Sequence, residues 1–171
     1  MHQLVNDNLY ETRNNLVTEI TLLSDAQLNR KPEMNIWSIA QVCHHLFLVE
    51  QASIKAIAWG LKAGDSTQKE RKEIQLFLLD RTKKINAPKI VEPDVEPFKV
   101  QRIIDLLNDS RNKLMTLLSS IEDASILAEK SVKHPALGEL PLDLWIEQIY
   151  LHEQRHIAQI KEIKILLDVE H

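Results

Sequence analysis

Apolar residues recur at helical spacing throughout the C-terminal segment of the chain. At about 100° per residue they fall into one narrow stripe of a single helix. The stripe contains Leu142, Trp145, Ile149, His152, His156, Ile160, Ile163 and Leu167. Two imidazoles therefore lie in the centre of a face that packs against other helices. Because a buried polar group without a partner costs about 1–3 kcal/mol, both need partners, and one metal ion would satisfy them together.

A third histidine comes from the segment that follows Trp37. The apolar stripe of that segment contains Ile39, Val42, Leu46, Val49, Ser53 and Ile57. His45 lies about 100° from the stripe centre and His44 about 160°. We therefore expect His44 to face solvent or a partner, and we predict that His45, His152 and His156 bind one metal ion. Three neutral imidazoles leave a fourth position open, as in catalytic zinc-type sites.

Three further segments share the helical period and are predicted to form long helices. The four predicted long helices span about residues 6–23, 38–61, 99–121 and 141–168. Ser24 with Gln27, and Ser38 with Gln41, form capping-box patterns that mark helix starts. A shorter helix is expected within residues 67–84, whose charged run at 69–73 mixes signs and is typical of a solvated face.

Three prolines between residues 86 and 98 favour an extended connection between the second and third long helices. Only three glycines and six prolines in 171 residues also favour helix throughout. The predicted fold is therefore all-α, a four-helix bundle with a long crossover between helices 2 and 3. We expect residues 1–171 to form a single domain.

Charge and cysteine content exclude several classes of protein. The net charge of −4 gives no general attraction for nucleic acid. The single cysteine, Cys43, excludes an intramolecular disulfide and is expected to pack as a small hydrophobe. Polar residues follow Met1 directly, and no apolar run approaches the ~20 residues of a membrane span. We therefore expect a cytoplasmic location and no membrane association.

Two segments of the sequence resemble signatures of a known family. The first is Trp37-Ser38-Ile39-Ala40-Gln41-Val42 followed by His45-Leu46. The second is His134-Pro135-Ala136-Leu137-Gly138-Glu139-Leu140 followed by Tyr150, His152, His156 and Gln159-Ile160. Together they resemble the DinB-like superfamily, and especially its YfiT-like branch of bacillithiol S-transferases and metal-dependent hydrolases. The second signature often ends in two adjacent histidines, whereas here Arg155 precedes His156.

The resemblance implies a divalent metal ion held by His45, His152 and His156, and commonly a homodimer. Zn²⁺ or Ni²⁺ is the expected ion, and Fe²⁺, Co²⁺ and Mn²⁺ stay open. The implied activity is thiol S-transfer or hydrolysis of a small molecule, with a low-molecular-weight thiol as one possible substrate. The alternative is a non-catalytic metal-binding or stress-response bundle that acts through its dimer surface.

Residues 152–156 also match the H-E-x-x-H pattern of zinc proteases. Those enzymes generally have further ligands after the motif, and only fifteen residues follow it here. Glu153 lies about 40° from the centre of the last stripe. It is therefore predicted at the edge of the site, as a group that handles protons; the alternative is a solvated, salt-bridging carboxylate.

The other candidate residues have simpler structural interpretations. His134 is expected to shape its turn and not to act as a fourth ligand. Trp37, Trp145 and Tyr150 are expected to be packing residues. Phe47, Leu48 and Trp59 extend the apolar surface of the second helix beyond its core stripe. A helix that is apolar on a second face usually buries it, so this surface, with His44, is the predicted dimer contact.

Overall fold

The computed structural model describes residues 2–63, 65–66, 72–82 and 86–168, although not the side chains of residues 2–4 and 65–66. In chain order the elements are α1 (His2–Thr21), α2 (Asp25–Asn29), α3 (Ile39–Ala63), β1 (Asp65–Ser66), α4 (Ile74–Leu79), a 3-10 turn (Lys89–Val91), α5 (Val100–Ser119), α6 (Ile126–Glu129), β2 (Lys130–His134), β3 (Gly138–Pro141) and α7 (Leu142–Leu166). The four long helices α1, α3, α5 and α7 confirm the predicted bundle.

The helix starts follow from local hydrogen bonding. Ser24 Oγ accepts from the backbone N–H of Gln27, and Gln27 Oε1 accepts from that of Ser24, at 3.2 and 2.9 Å. Ser38 and Gln41 form the same reciprocal pair at the start of α3. Both predicted capping boxes are confirmed. Each satisfies backbone donors that the first turn of a helix leaves without partners.

Two apolar clusters fill the bundle interior at different levels along its axis. One includes Leu16, Ile20, Leu46, Leu107 and Ile160, and the other includes Leu9, Ile57, Leu114, Leu118 and Ile149. Between these levels each long helix contributes one buried charge, and we call these four residues the charged layer: Arg13, Glu50, Arg111 and Glu153. The exposed fraction of each is between 2 and 5%. The bundle core is therefore divided by a layer of ions.

The long crossover lies against the outer side of α3 and buries His44. The backbone N–H of Asp94 donates to His44 Nδ1 at 3.0 Å, and the ring contacts Phe98 with centroids 4.9 Å apart. His44 is only 7% exposed. The prediction that His44 faces solvent or a partner is therefore wrong. His44 does lie on the outer face of α3, as its angle from the apolar stripe predicted. That face is covered by the crossover of the same chain.

A short three-stranded sheet accompanies the bundle and was not predicted. Strand β2 pairs with β1 and with β3, both antiparallel, and His134 lies opposite Gly138 in the β2–β3 hairpin. Gly138 has a φ of 72°, a left-handed conformation that glycine adopts without strain. The backbone N–H groups of Ala136 and Leu137 both donate to His134 Nδ1 at 3.1 Å. The structure therefore agrees with the predicted role of His134 in shaping this turn.

The His134 turn gives a testable pH dependence. Burial lowers the pKa of His134 to about 4, from an ordinary value of 6.5. The native state therefore keeps His134 neutral, while the unfolded state takes up a proton below pH 6.5, so stability falls as pH falls from about 6.5 toward 4. Between pH 7 and pH 5 the metal-free wild type should lose unfolding free energy as the unfolded state takes up this proton. We expect His134→Asn to reduce that loss by about 1 kcal/mol, a value that allows for solvent screening. Urea unfolding at both pH values measures this, and an unchanged pH dependence would contradict it.

Some predicted features lie outside the described residues. The helix expected within residues 67–84 is observed as α4 alone, and residues 67–71 and 83–85 are outside the description, as is most of the charged run at 69–73. Among the described residues, no helix combines the length and the apolar character that crossing a lipid bilayer requires.

Candidate metal centre

Helices α3 and α7 bring the three predicted histidines together. His45, His152 and His156 each offer one ring nitrogen, and these three atoms all lie within 4.8 Å of one another. The Nε2 atoms of His152 and His156 are 3.0 Å apart. Two nitrogens bound to one zinc ion at about 2.0–2.1 Å each lie roughly 3 Å apart. The spacing along α7 and the antiparallel packing of α3 therefore produce a metal-compatible triad.

Hydrogen bonds to neighbouring groups orient two of the rings. His45 Nδ1 donates to the backbone carbonyl of Val91 at 2.7 Å, and His156 Nδ1 donates to Gln159 Oε1 at 2.7 Å. Because Nδ1 carries the proton in both rings, the lone pair of each neutral imidazole is on Nε2. Metal-binding histidines commonly have such partners, which fix the tautomer and the ring orientation. Val91 belongs to the crossover, so the crossover helps to build the site.

The three imidazoles are held in their neutral form. Burial lowers the pKa of His45, and burial together with nearby His45 lowers the pKa of His156 to about 3. The pKa of His152 also lies well below its usual value because of burial and the adjacent His156. Neutral imidazole is the form that ligates metal. The donor set, its tautomers and its charge state therefore fit a divalent ion that accepts nitrogen ligands.

A cavity of about 620 Å³ adjoins the triad. All three histidines line it, together with apolar side chains that include Trp37, Phe77, Ile90, Trp145 and Ile163. Its size falls within the usual range for small-molecule sites, roughly 300–1,000 Å³. The histidines thus face a space that a small molecule could enter.

Two arginines join α4 and the residues after it to α7 beside this cavity. Arg155 Nη1 donates to the backbone carbonyls of Leu78 and Asp80, and Arg81 Nη1 donates to the carbonyl of Arg155. Arg81 also forms an ion pair with Glu162. Arg155 occupies the position where the family signature often has a second histidine, and here it fixes one wall of the cavity.

Glu153 belongs to the charged layer and does not join the triad. Its Oε1 accepts from Arg13 Nε at 2.8 Å, and its Oε2 accepts from Thr12 Oγ1 and Arg111 Nη2 at 2.8 and 2.9 Å. The side chain is 2% exposed and is not among the residues that line the cavity. The predicted position of Glu153 at the edge of the site is therefore wrong; it is a salt-bridging carboxylate, but a buried one. The Glu153 side chain points away from the cavity and into the bundle, where it binds Arg13 and Arg111.

Glu50 is the second carboxylate of the charged layer, and it also binds both arginines. Glu50 accepts from Arg13 Nη2 at 2.9 Å and from Arg111 Nε at 2.6 Å, and Ser110 Oγ donates to it as well. Burial alone would raise the pKa of Glu50, but the two arginines lower it below its usual value. The two glutamates therefore neutralise the two arginines. Reasoning from the sequence missed this layer.

The remaining candidates behave as packing residues. Cys43 is fully buried, and burial raises the pKa of its thiol to about 12, which agrees with the prediction that it packs as a small hydrophobe. Trp145 is 5% exposed and donates from Nε1 to the carbonyl of Val132 at 3.0 Å. Trp37 contacts His45, with ring centroids 5.2 Å apart, and Tyr150 packs against the second apolar cluster. Trp37 and Trp145 also line the cavity.

The fold and the site together define a class of protein, namely helical bundles with a histidine triad beside a cavity. The family model of the DinB superfamily matches residues 8–160, and the chain is a member of that superfamily. It is 31% identical over 157 residues to YuaE, an uncharacterized protein of Bacillus subtilis, and the match covers 90% of this chain and 93% of YuaE.

Two solved structures share the fold. YfiT from Bacillus subtilis, described as a probable metal-dependent hydrolase with an unusual four-helix bundle topology, superposes with a TM-score of 0.69 at 17% identity, over 99% of this chain and 89% of YfiT. TT2238, described as a four-helix bundle protein, superposes with a TM-score of 0.62 at 15% identity, over 95% of this chain and 99% of TT2238. At these identities the likeness concerns the fold.

Proposed function

We propose that this protein is a metal-dependent enzyme in which His45, His152 and His156 hold a divalent ion beside a small-molecule cavity. The observation that carries the proposal is the convergence of three neutral ring nitrogens within 4.8 Å at the cavity wall. Three imidazole ligands with space for a further ligand are typical of catalytic sites, whereas structural zinc sites are closed by four protein ligands. The description of YfiT as a probable metal-dependent hydrolase also supports it.

The chain's own residues would hold the site rigid and restrict water. Val91 and Gln159 orient the ligand rings, and the apolar walls, with Trp37 and Trp145, shield the reacting atoms from bulk solvent. When bound, the ion supplies Lewis-acid chemistry that makes a nucleophile available near neutral pH from water or a thiol. The proposed reaction is attack of that nucleophile on an electrophilic small molecule, in hydrolysis or thiol S-transfer.

The ion is proposed to be Zn²⁺ or Ni²⁺, with Fe²⁺, Co²⁺ and Mn²⁺ as further candidates. Imidazole nitrogen suits zinc, nickel, iron and cobalt, and availability in the cell selects among them as much as affinity does. Elemental analysis of protein purified without an affinity tag identifies the ion. We expect about one ion per chain, since the three histidines form one cluster.

Turnover by the metal-loaded protein tests the catalytic proposal. Activated esters report hydrolysis, and mixtures of a small thiol with an alkylating electrophile report S-transfer. We expect at least one of these reactions to proceed with the loaded protein and to fall to background in His156→Ala. Stoichiometric metal without turnover in either assay would instead favour a non-catalytic metal-binding bundle.

We further propose a homodimer, which rests on the family resemblance and on the exposed Trp59 of α3. Trp59 is 57% exposed on this helix, whereas Phe47 of the predicted contact surface packs partly buried against the first apolar cluster. His44 is excluded from the contact because the crossover buries it. Light scattering at micromolar concentration should give twice the monomer mass, and Trp59→Lys should shift it toward the monomer with metal content unchanged. A monomeric wild-type protein would contradict the proposal.

A further inference from the structure

A hydrogen-bonded polar pair, Gln148 and Ser53, lies in the wall of the cavity. Gln148 on α7 donates from Nε2 to Ser53 Oγ on α3 at 2.8 Å. Both residues line the cavity, and they are only 2 and 1% exposed. Buried polar side-chain atoms usually have at least one hydrogen-bond partner, either in the protein or in bound water. The hydrogen bonding of Gln148 therefore indicates what this wall can recognise.

The neighbouring hydrogen bonds fix the orientation of the amide. Ser53 Oγ donates its single proton to the backbone carbonyl of Val49 at 2.9 Å. The hydroxyl oxygen must therefore accept from Gln148, which assigns the amide NH₂ to Ser53 and leaves Oε1 on the other side. Within the described residues no donor contacts Oε1. The buried side-chain atoms that lack both a partner and contact with water do not include it among the described residues.

The position of Gln148 relates this acceptor to the triad. Gln148 precedes His152 by four residues on α7, so the two side chains share one face and lie about 6 Å apart along the helix axis. Ser53 follows His45 on α3 and anchors the amide from the opposite wall. Gln148 and the triad therefore line the same cavity about one helical turn apart.

We propose that Gln148 is a specificity-determining residue whose Oε1 accepts a hydrogen bond from a hydroxyl, amine or amide N–H of the substrate. The inference rests on the proposed function, because it places the reacting end of the substrate at the triad. It defines the substrate class as a small molecule whose hydrogen-bond donor lies about one helical turn from its reacting atom. Ser53 is a positioning residue, since its hydroxyl oxygen accepts from the amide and holds it in place.

Matched thiols test the proposal on the Co²⁺-loaded protein. Mercaptopropanol and butanethiol have the same number of heavy atoms and can both ligate the ion through sulfur, but only mercaptopropanol has a terminal donor. Their dissociation constants follow from thiol-dependent changes in the cobalt absorption spectrum. We expect Gln148→Leu to reduce the preference for mercaptopropanol over butanethiol by about fivefold, the value of one net hydrogen bond.

Control variants separate recognition from general damage. Gln101→Leu changes an exposed glutamine of α5 outside the cavity lining, and it should leave the preference unchanged. If Gln148→Leu fails to fold, Gln148→Met keeps the side-chain length without the acceptor. Co²⁺ binding with equal preferences in wild type and the Gln148 variant would overturn this inference alone. Failure of the wild type to bind Co²⁺ would overturn the proposed function, and the inference with it.

Discussion

Replacing Arg111 with methionine is expected to lower the free energy of unfolding by about 3–5 kcal/mol. Arg111 donates to Glu50 Oε1 at 2.6 Å, to Glu153 Oε2 at 2.9 Å and to the backbone carbonyl of Leu9. Without it, two buried carboxylates face the single guanidinium of Arg13. An uncompensated charge in a bundle interior costs far more than the loss of a surface ion pair. Because small domains have only about 5–15 kcal/mol of stability, this is among the largest single effects expected.

Three further variants, Arg102→Met, Glu153→Leu and the double variant Arg111→Met/Glu153→Leu, identify charge as the cause. Arg102→Met on the same helix removes an exposed arginine, and its effect should stay within about 0.5 kcal/mol. Arg111→Met combined with Glu153→Leu leaves the pair of Arg13 and Glu50, whose Nη2 and Oε2 atoms are 2.9 Å apart. We therefore expect the double variant to lose much less stability than the sum of the two single variants. Urea unfolding measures the wild type and all four variants, and additive losses would contradict the charge argument.

Substitution of any one triad histidine is expected to weaken metal binding by about a hundredfold or more. Loss of an outer partner of a ligand typically costs roughly 10–100-fold, and loss of the ligand itself removes more. His45→Ala, His152→Ala and His156→Ala should therefore each purify without stoichiometric metal. Gln159→Leu, which removes the partner of His156 Nδ1, should bind metal with an intermediate affinity.

His44→Ala is the matched control for these variants. It removes an adjacent buried imidazole whose Nδ1 accepts from Asp94, so it should reduce stability but retain one ion per chain. Retention of metal by His45→Ala, together with its loss in His44→Ala, would reverse the ligand assignment. The triad variants should stay helical by circular dichroism, because the apolar clusters hold the bundle without metal. A coil spectrum after chelation would show that the ion is needed for folding.

Periodicity within a helix predicted the site better than it predicted the surroundings of the site. His152 and His156 were identified because their face is decided by α7 itself, and His45 by its position on the flank of the α3 stripe. The burial of His44 depends on residues about fifty positions away, which cover the outer face of α3. The sequence pattern of α3 alone gives no indication that these residues cover it.

The charged layer shows a second limit of reading one helix at a time. Each of its members follows an apolar core residue by four positions: Leu9 and Arg13, Leu46 and Glu50, Leu107 and Arg111, Ile149 and Glu153. One such charge on a stripe is common, because arginine and glutamate can extend to solvent from its edge. The signal is that all four long helices have one, with two charges of each sign. The strands β2 and β3 were missed because five and four residues give too short an alternation to distinguish from a loop.

The order in which the chain is synthesised gives the charged layer a consequence for folding. Helix α7 follows the other three long helices of the bundle in the chain and leaves the ribosome after them, and it supplies both Glu153 and two of the three histidines. Until it docks, α1, α3 and α5 would enclose two arginines with one glutamate. That excess positive charge disfavours a compact three-helix intermediate. We therefore expect neutralisation of the interior and assembly of the triad in the same step, so the three proposed metal ligands come together only after α7 has docked.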